Sequence, residues 1–323
     1  MKENFDFNDV NLIPKKGIVG SRSECDTSVQ FGKFKFKIPV VPANMESIIN
    51  EDLAITLAQN GYFYILHRFN IDSLAFIERC KEAGQISSIS IGVNDADYEL
   101  LNNLSLHKVI PDYITIDIAH GHCIKMENML KEIRCNSDFD DTFIIAGNVS
   151  TPEAFADLSD WGANAVKAGI GGGLACSTYM ETKFGNRGMQ ASMIKELNQY
   201  RELMNINAYL ISDGAIRERG DINVALVMGA DMIMVGGLFS GHLDSPGEII
   251  EIDGKEYKGY WGSASVHQSG KTNRIEGVKH QVPLKNKSIL DEMTSIQEAL
   301  QSGISYAGGR DLNIFKETQY KVK

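Results

Sequence analysis

The chain has 323 residues, 43% of them hydrophobic and 23% charged, the make-up of a soluble globular enzyme with a sizeable core. A formal net charge of −10 argues against nucleic acid or an anionic membrane as the main partner, so any phosphate site must be local, built from backbone N–H groups and one or two cations. The five scattered cysteines contain no CxxC pair and fit free thiols in a reducing compartment. The start, MKENFDFNDV, lacks the basic and apolar character of a signal peptide, and no apolar run has membrane-spanning length. A cytoplasmic protein is expected.

Residues 1–37 read as a loop-rich lead-in, with Pro14, Gly17, Gly20 and the polar cluster Ser21–Asp26. Short apolar strands are then expected at Pro39–Ala43, Tyr62–Leu66, Ser87–Val93, Tyr113–Ile118, Thr142–Ala146, Ala163–Ala168, Ala208–Ser212 and Asp231–Val235. Helical patterns alternate with them at Glu51–Gln59, Ile71–Ala83, Ala96–Leu104, Cys123–Ile133, Pro152–Trp161, Gln190–Leu203 and Gly220–Met228. Eight such units predict a (β/α)₈ TIM barrel, and the lack of any linker predicts one domain over 1–323. An open doubly wound sheet is the alternative, but no early strand–GxGxxG–helix stretch favours it. An insertion of about 245–285 follows the eighth strand; Asp253-Gly254 inside it is a hairpin signal, and its position predicts a lid or finger over the catalytic face. A last helix is expected over Ser288–Gln301, ending at Ser302-Gly303.

Lys167–Gln190 is the candidate reactive centre. Gly169, Gly171, Gly172 and Gly173 permit turns closed to other residues, Cys176 follows, and the Thr178 hydroxyl lies two residues on. A thiol on a loop beside polar groups is a usable nucleophile, although a flexible turn carrying an incidental cysteine is the plainer alternative. In a barrel the strand ends carry the chemistry, which gathers Asn44, His67, Arg68, Asp117, Asn148, Cys176, Asp213 and Gly236-Gly237 on one face. The stretches SDGAIR and VGGL close the last two strands, the usual phosphate site of this fold; glycines needed only for tight turns are the competing explanation. Asp213 could hold ribose hydroxyls or simply cap a helix. His120 and His122 share a loop, without a third metal ligand in evident reach.

These residues sit in motifs that resemble one family from end to end: DFNDVNLIP, SRSECD, VPANM, HRF, YITIDIAHGH, AGNV, KAGIGGG followed by Cys176 and Thr178, SDGAIR, VGGLFSGH, YWGSAS, IEG and ISYAGG. The chain resembles the GMP reductases, sister family to the IMP dehydrogenases, and most closely their type 2 bacterial branch. Nothing between Ile65 and Thr142 leaves room for the CBS modules usual in the dehydrogenases, and Ser245–Gln281 holds no Arg-Tyr dyad of the kind that activates water in them.

The resemblance implies reductive deamination, GMP + NADPH → IMP + NADP⁺ + ammonia, through a covalent thioimidate between Cys176 and C2 of the purine. It implies that Glu276 with Thr178 relays the proton for the leaving ammonia. By the same resemblance Asp213, Gly214, Ala215, Gly236, Gly237, Gly262, Ser263 and Gly277 contact the nucleotide. Asp117 faces the nicotinamide; Ser21, Arg22, Ser302 and Ser305 meet the cofactor's adenosine end, partly from an adjacent subunit of a homotetramer. Carbonyls of Gly171, Gly173 and Cys176 match a monovalent-cation (K⁺) site.

The sequence departs from the family pattern at several points. Gly172 replaces a proline and Leu174 a phosphate-binding serine, and Ser177 stands where Thr is common. Arg68 stands where the animal enzymes have a catalytic lysine, the HRF form suiting the type 2 branch. Ala215 replaces a glycine, which its methyl tolerates only at negative φ. Two other functions fit the same residues: an IMP dehydrogenase core without CBS modules, or a catalytically weak barrel that senses purine nucleotides.

Overall fold

The computed structural model describes residues 4–263, 265 and 277–323. The lead-in is more ordered than its loop-rich sequence suggests. Strand β1 (Val10–Leu12) pairs antiparallel with the C-terminal strand Tyr320–Val322, and β2 (Val29–Phe31) and β3 (Phe34–Phe36) form a hairpin. Behind the hairpin, seven strands make one parallel sheet: β4 (Val40–Pro42), β5 (Ser88–Ile91), β6 (Tyr113–Asp117), β7 (Phe143–Val149), β8 (Ala165–Ala168), β9 (Tyr209–Asp213) and β10 (Met232–Val235). Their order is β4-β10-β9-β8-β7-β6-β5, so the first strand lies beside the last, as a curled, TIM-barrel-like sheet requires.

The expected strand at Tyr62–Leu66 does not join this ladder, although all five residues are buried. Side-chain hydroxyls take up the backbone groups that a ladder would pair. Tyr64 donates to Ile86 O at 2.8 Å and accepts from Ser88 N–H at 3.3 Å, while Ser90 donates to Leu66 O at 2.6 Å. One backbone bond survives, from Leu66 N–H to Ser88 O at 3.1 Å.

Helices follow the strands: α1 (Glu51–Gln59), α2 (Ser73–Glu82), α3 (Asp95–His107), α4 (Ile124–Cys135), α5 (Pro152–Asp160), α6 (Thr178–Thr182), α7 (Gln190–Leu203), α8 (Arg219–Val227) and α9 (Ile289–Ala307). Several of these starts are capped by side chains: Asn50 accepts from Leu53 N–H at 2.9 Å, Asp72 from Ala75 N–H at 3.1 Å, and Thr151 from Ala154 N–H at 3.2 Å with Pro152 behind it. The short α6, directly after Cys176, has too few turns to show a periodic pattern. Helix α9 runs past Ser302-Gly303 and ends only where Gly308 adopts φ 82°. Gly303 is a packing glycine rather than a stop: a methyl there would sit 2.6 Å from the Asn223 amide of α8.

The hairpin closes one end of the sheet. Phe31 packs at 5.1 Å from Phe63, 4.8 Å from Phe143 and 5.1 Å from Tyr209, and the Tyr113 hydroxyl donates to Phe31 O at 2.6 Å. Tyr113, Phe143 and Tyr209 each begin a strand, so this aromatic cluster seals the N-terminal ends and leaves the C-terminal ends for ligands.

After β10, β11 (Ile249–Ile252), β12 (Lys255–Trp261) and β13 (Lys279–Pro283) form a three-stranded antiparallel sheet. Asp253 (φ 51°) and Gly254 (φ 72°) make the expected tight hairpin turn. Lys258 anchors this sheet from beneath: its buried ammonium donates to Leu243 O at 2.7 Å and Ser245 O at 2.6 Å. No helix among the described residues is long and apolar enough to cross a membrane.

Candidate active site

The loop after β8 is shaped by glycines at the points where it meets its neighbours. A methyl on Gly169 (φ 147°) would collide with the Asp213 carbonyl, and one on Gly171 (φ 77°) would lie 2.7 Å from Tyr179 Cβ. Gln190, buried at the start of α7, ties the two ends together by donating to Ala168 O at 2.9 Å. The turn delivers Cys176, whose N–H donates to Gly173 O at 3.1 Å and whose thiol lies 3.3 Å from the Thr178 hydroxyl. Gly277 forms an antiparallel bridge with Cys176, and Val278 N–H donates to Ala175 O at 3.0 Å, so the return strand of the insertion is stitched to the reactive loop. Glu276 lies outside the described residues.

Cys176 and Thr178 open into a cavity of about 300 Å³. Its polar walls are two carboxylates at the ends of β6 and β9, Asp117 and Asp213, with Lys167 of β8 between them. The Lys167 ammonium lies 2.6 Å from Asp117 Oδ1 and 3.2 Å from Asp213 Oδ2. Burial pulls the ammonium's pKa down, but the two carboxylates more than reverse that and hold it above the ordinary lysine value. Burial likewise pushes the Asp117 carboxyl up; Lys167, with Arg68 and a hydrogen bond from Asn44, outweighs it and keeps that carboxyl below its usual value. Asn148 Nδ2 donates to Asp213 Oδ2 at 2.8 Å and to Gly169 O at 2.7 Å, fixing Asp213 to the glycine loop.

A second cavity of about 340 Å³ adjoins the first, sharing Gly172, Gly173, Gly214, Met234 and Tyr260 as lining. Gly236, Gly237 and Ala215 line it, with Arg217 and Lys285 as its cations. Lys285 is partly buried, donates to Leu238 O at 2.7 Å, and has its pKa lowered by that burial. Ala215 corrects an expectation: its φ is 62°, in the left-handed region, where the methyl is strained rather than tolerated. The adjacent Gly172 explains what room the methyl has, because a Cβ on Gly172 would stand only 3.4 Å from Ala215 Cβ.

The structure therefore brings Cys176, Thr178, Asp117, Asp213, Gly171, Gly173, Gly214, Gly262 and Ser263 to one cavity, and Ala215, Gly236 and Gly237 to its neighbour. Gly277 reaches them through its bridge to Cys176. Ser21, Arg22, Ser302 and Ser305 are not among the lining residues of either cavity. Arg22 instead meets Ser302 Oγ at 3.2 Å and the Tyr306 hydroxyl at 3.2 Å, stacking over that ring at 5.1 Å on the outer surface. His122 pairs with Asp157 at 2.8 Å, and no cluster of metal-binding side chains occurs among the described residues.

Three site residues escaped the sequence reading. Lys167 was visible as a charge inside the apolar run AVKA, where only paired carboxylates make burial tolerable. Tyr260 and Lys285 sit in an insertion whose return path depends on tertiary pairing of β12 with β13, which no local pattern announces.

Residues 4–323 match the family described as the IMP dehydrogenase / GMP reductase domain. The chain is 47% identical to a GMP reductase of Lactobacillus gasseri over 99% of its own length and 95% of the relative's. A GMP reductase of Staphylococcus aureus is 47% identical over 98% of this chain and 96% of the relative. One of Mesoplasma florum is 46% identical over 98% and 97%. The chain belongs to the IMP dehydrogenase/GMP reductase family.

Proposed function

We propose that this family member reduces GMP to IMP with release of ammonia, the whole chain acting as one catalytic domain with a closed (β/α)₈ core. The observation that carries the reading is the Cys176 thiol, 3.3 Å from the Thr178 hydroxyl, at a cavity walled by Asp213 on one side and Asp117 on the other. C2 of a guanine is a poor hydride acceptor, so a thiolate that first bonds to C2 divides one hard step into two. The Cys176 sulfur adds to C2 and the C2–N2 bond breaks, the departing amine leaving as ammonia with a proton relayed by Glu276 and Thr178. C2 then takes up a hydride and the carbon–sulfur bond breaks, returning the thiolate.

Asp213, Gly214, Ala215, Gly236, Gly237, Gly262, Ser263 and Gly277 hold the nucleotide in this reading. Asp213 accepts from ribose hydroxyls, and the N–H groups near Gly236 and Gly237, with Lys285, meet the phosphate. The hydride donor is NADPH, which supplies that hydride from its reduced ring. The Asp117 side suits a carboxamide: Asn148 Oδ1 and Arg68 Nε are a buried acceptor and donor without partners among the described residues. Ser21, Arg22, Ser302 and Ser305 receive the adenosine end across a subunit contact of a homotetramer, which accounts for their place outside the cavity. Carbonyls of Gly171, Gly173 and Cys176 suit a monovalent cation such as K⁺, a hard ion that takes oxygen ligands. The insertion acts as the lid, its base already bonded to the reactive loop. A cytoplasmic location fits five free cysteines.

Incubation with GMP and NADPH, followed by nicotinamide absorbance, tests the reading. Oxidation of NADPH with stoichiometric IMP and ammonia is the expected result. Reduction of NAD⁺ with IMP, and none of the former, would make the chain a dehydrogenase core; tight GMP binding with neither reaction would make it a sensor.

A further inference from the structure

Asp117 and Asp213 are about one-fifth exposed toward the cavity, whereas the side chain of Lys167 between them is 2% exposed. Lys167 borders the same cavity, but with almost all of its side chain covered. Its strand is pressed against β7 closely enough that a methyl on Gly147 would lie 2.6 Å from Lys167 Cβ, and its ammonium sits 3.8 Å from the Met234 thioether. A cation buried this deeply behind two acids acts on them rather than on substrate.

We propose that Lys167 is a positioning residue that keeps the Asp117/Asp213 pair wholly ionised, so that both carboxylates present only acceptors, one to a ribose diol and the other to a carboxamide N–H. The inference rests on the nucleotide and nicotinamide roles given above. A ribose offers two hydroxyl donors, and a carboxylate accepts both only while unprotonated. Two carboxylates bound to one point in a partly desolvated site repel each other, and without a cation such pairs retain a proton to higher pH. The other groups facing the pair do not replace the lysine. Asp117 meets Arg68 and the Asn44 amide; Asp213 meets the Asn148 amide and faces the Tyr260 phenol, and Cys176 stands nearby. Arg68 is the sole second cation among these groups, and it acts on Asp117.

The test is GMP affinity by calorimetry between pH 5 and 9 for wild type, Lys167→Met, Lys167→Arg and the double variant Lys167→Met/Asp117→Asn. Wild type and Lys167→Arg should show no acid loss of affinity from this pair across the range. Lys167→Met should lose affinity about tenfold per pH unit below a newly raised transition inside it. The double variant restores the wild-type net charge of the trio and should lose that acid limb, although it still lacks the lysine. A merely structural lysine would leave Lys167→Met and the double variant equally weak with parallel, flat profiles, which would overturn the proposal. If Lys167→Met does not fold, the double variant decides: folded and binding with a flat profile supports the proposal, and failure to fold contradicts it. If wild type itself does not bind GMP, the nucleotide reading fails instead, a distinguishable outcome.

Discussion

Cys176 and Gly277 pair as an antiparallel bridge, joining the tip of the glycine loop to the return strand of the insertion. The pairing puts the chain position next to Glu276 in direct backbone contact with the proposed nucleophile. Glu276 is proposed above to relay the proton to the departing ammonia.

That role makes Glu276 necessary for expelling ammonia and much less so for hydride transfer. In Glu276→Gln, deamination should fall by about 10²–10⁴, the range for losing a general acid–base group. Running the reaction backwards with IMP and NADP⁺ but no ammonia isolates hydride transfer as a single-turnover burst of NADPH, and the variant should keep most of it. Equal losses in burst and deamination would show that Glu276 positions the nucleotide or loop for both steps.

Ala215 at φ 62° and Gly172, with room for a Cβ only 3.4 Å from the Ala215 methyl, are coupled. Ala215→Gly should raise stability by about 1 kcal/mol, because alanine pays the left-handed penalty that glycine avoids. Gly172→Pro should stiffen the loop and tighten GMP binding only when combined with Ala215→Gly, since the alanine methyl crowds the added ring. A thermal and binding double-mutant cycle measures the coupling; strict additivity would mean the contact is immaterial.

Lys285 should contribute to phosphate recognition and to nothing else in the reaction. Lys285→Met should weaken GMP binding by about 10–100-fold, the scale of a charge-assisted hydrogen bond of about 1.5–3 kcal/mol. Guanosine, which lacks the phosphate, should bind wild type and variant alike. An equal loss for both ligands would assign Lys285 to holding Leu238 and the β13 return path rather than to the phosphate.

Much of this was legible in the sequence where the signal is local. Helix α1 and helix α7 occupy their expected spans, and the Asp253-Gly254 turn follows from residues that accept positive φ. The strand-end rule also placed Asp117, Cys176 and Asp213 on one face. What failed depends on tertiary choice. Tyr62–Leu66 has strand composition, but the Tyr64 and Ser90 hydroxyls divert its partners. Gly303 reads as a helix stop until Asn223 is seen against it. The sign of φ at Ala215 is set by the loop it meets, not by alanine's own preference. The Phe31 hairpin was hidden because strands of three residues carry no periodicity.

The covalent role of Cys176 is tested most directly by measuring turnover and GMP affinity together in Cys176→Ala. The sulfur is asked for bond formation rather than for binding, so turnover should vanish while the dissociation constant for GMP stays within a few-fold of wild type. Substantial NADPH-dependent conversion of GMP to IMP by that variant would contradict the thioimidate mechanism outright.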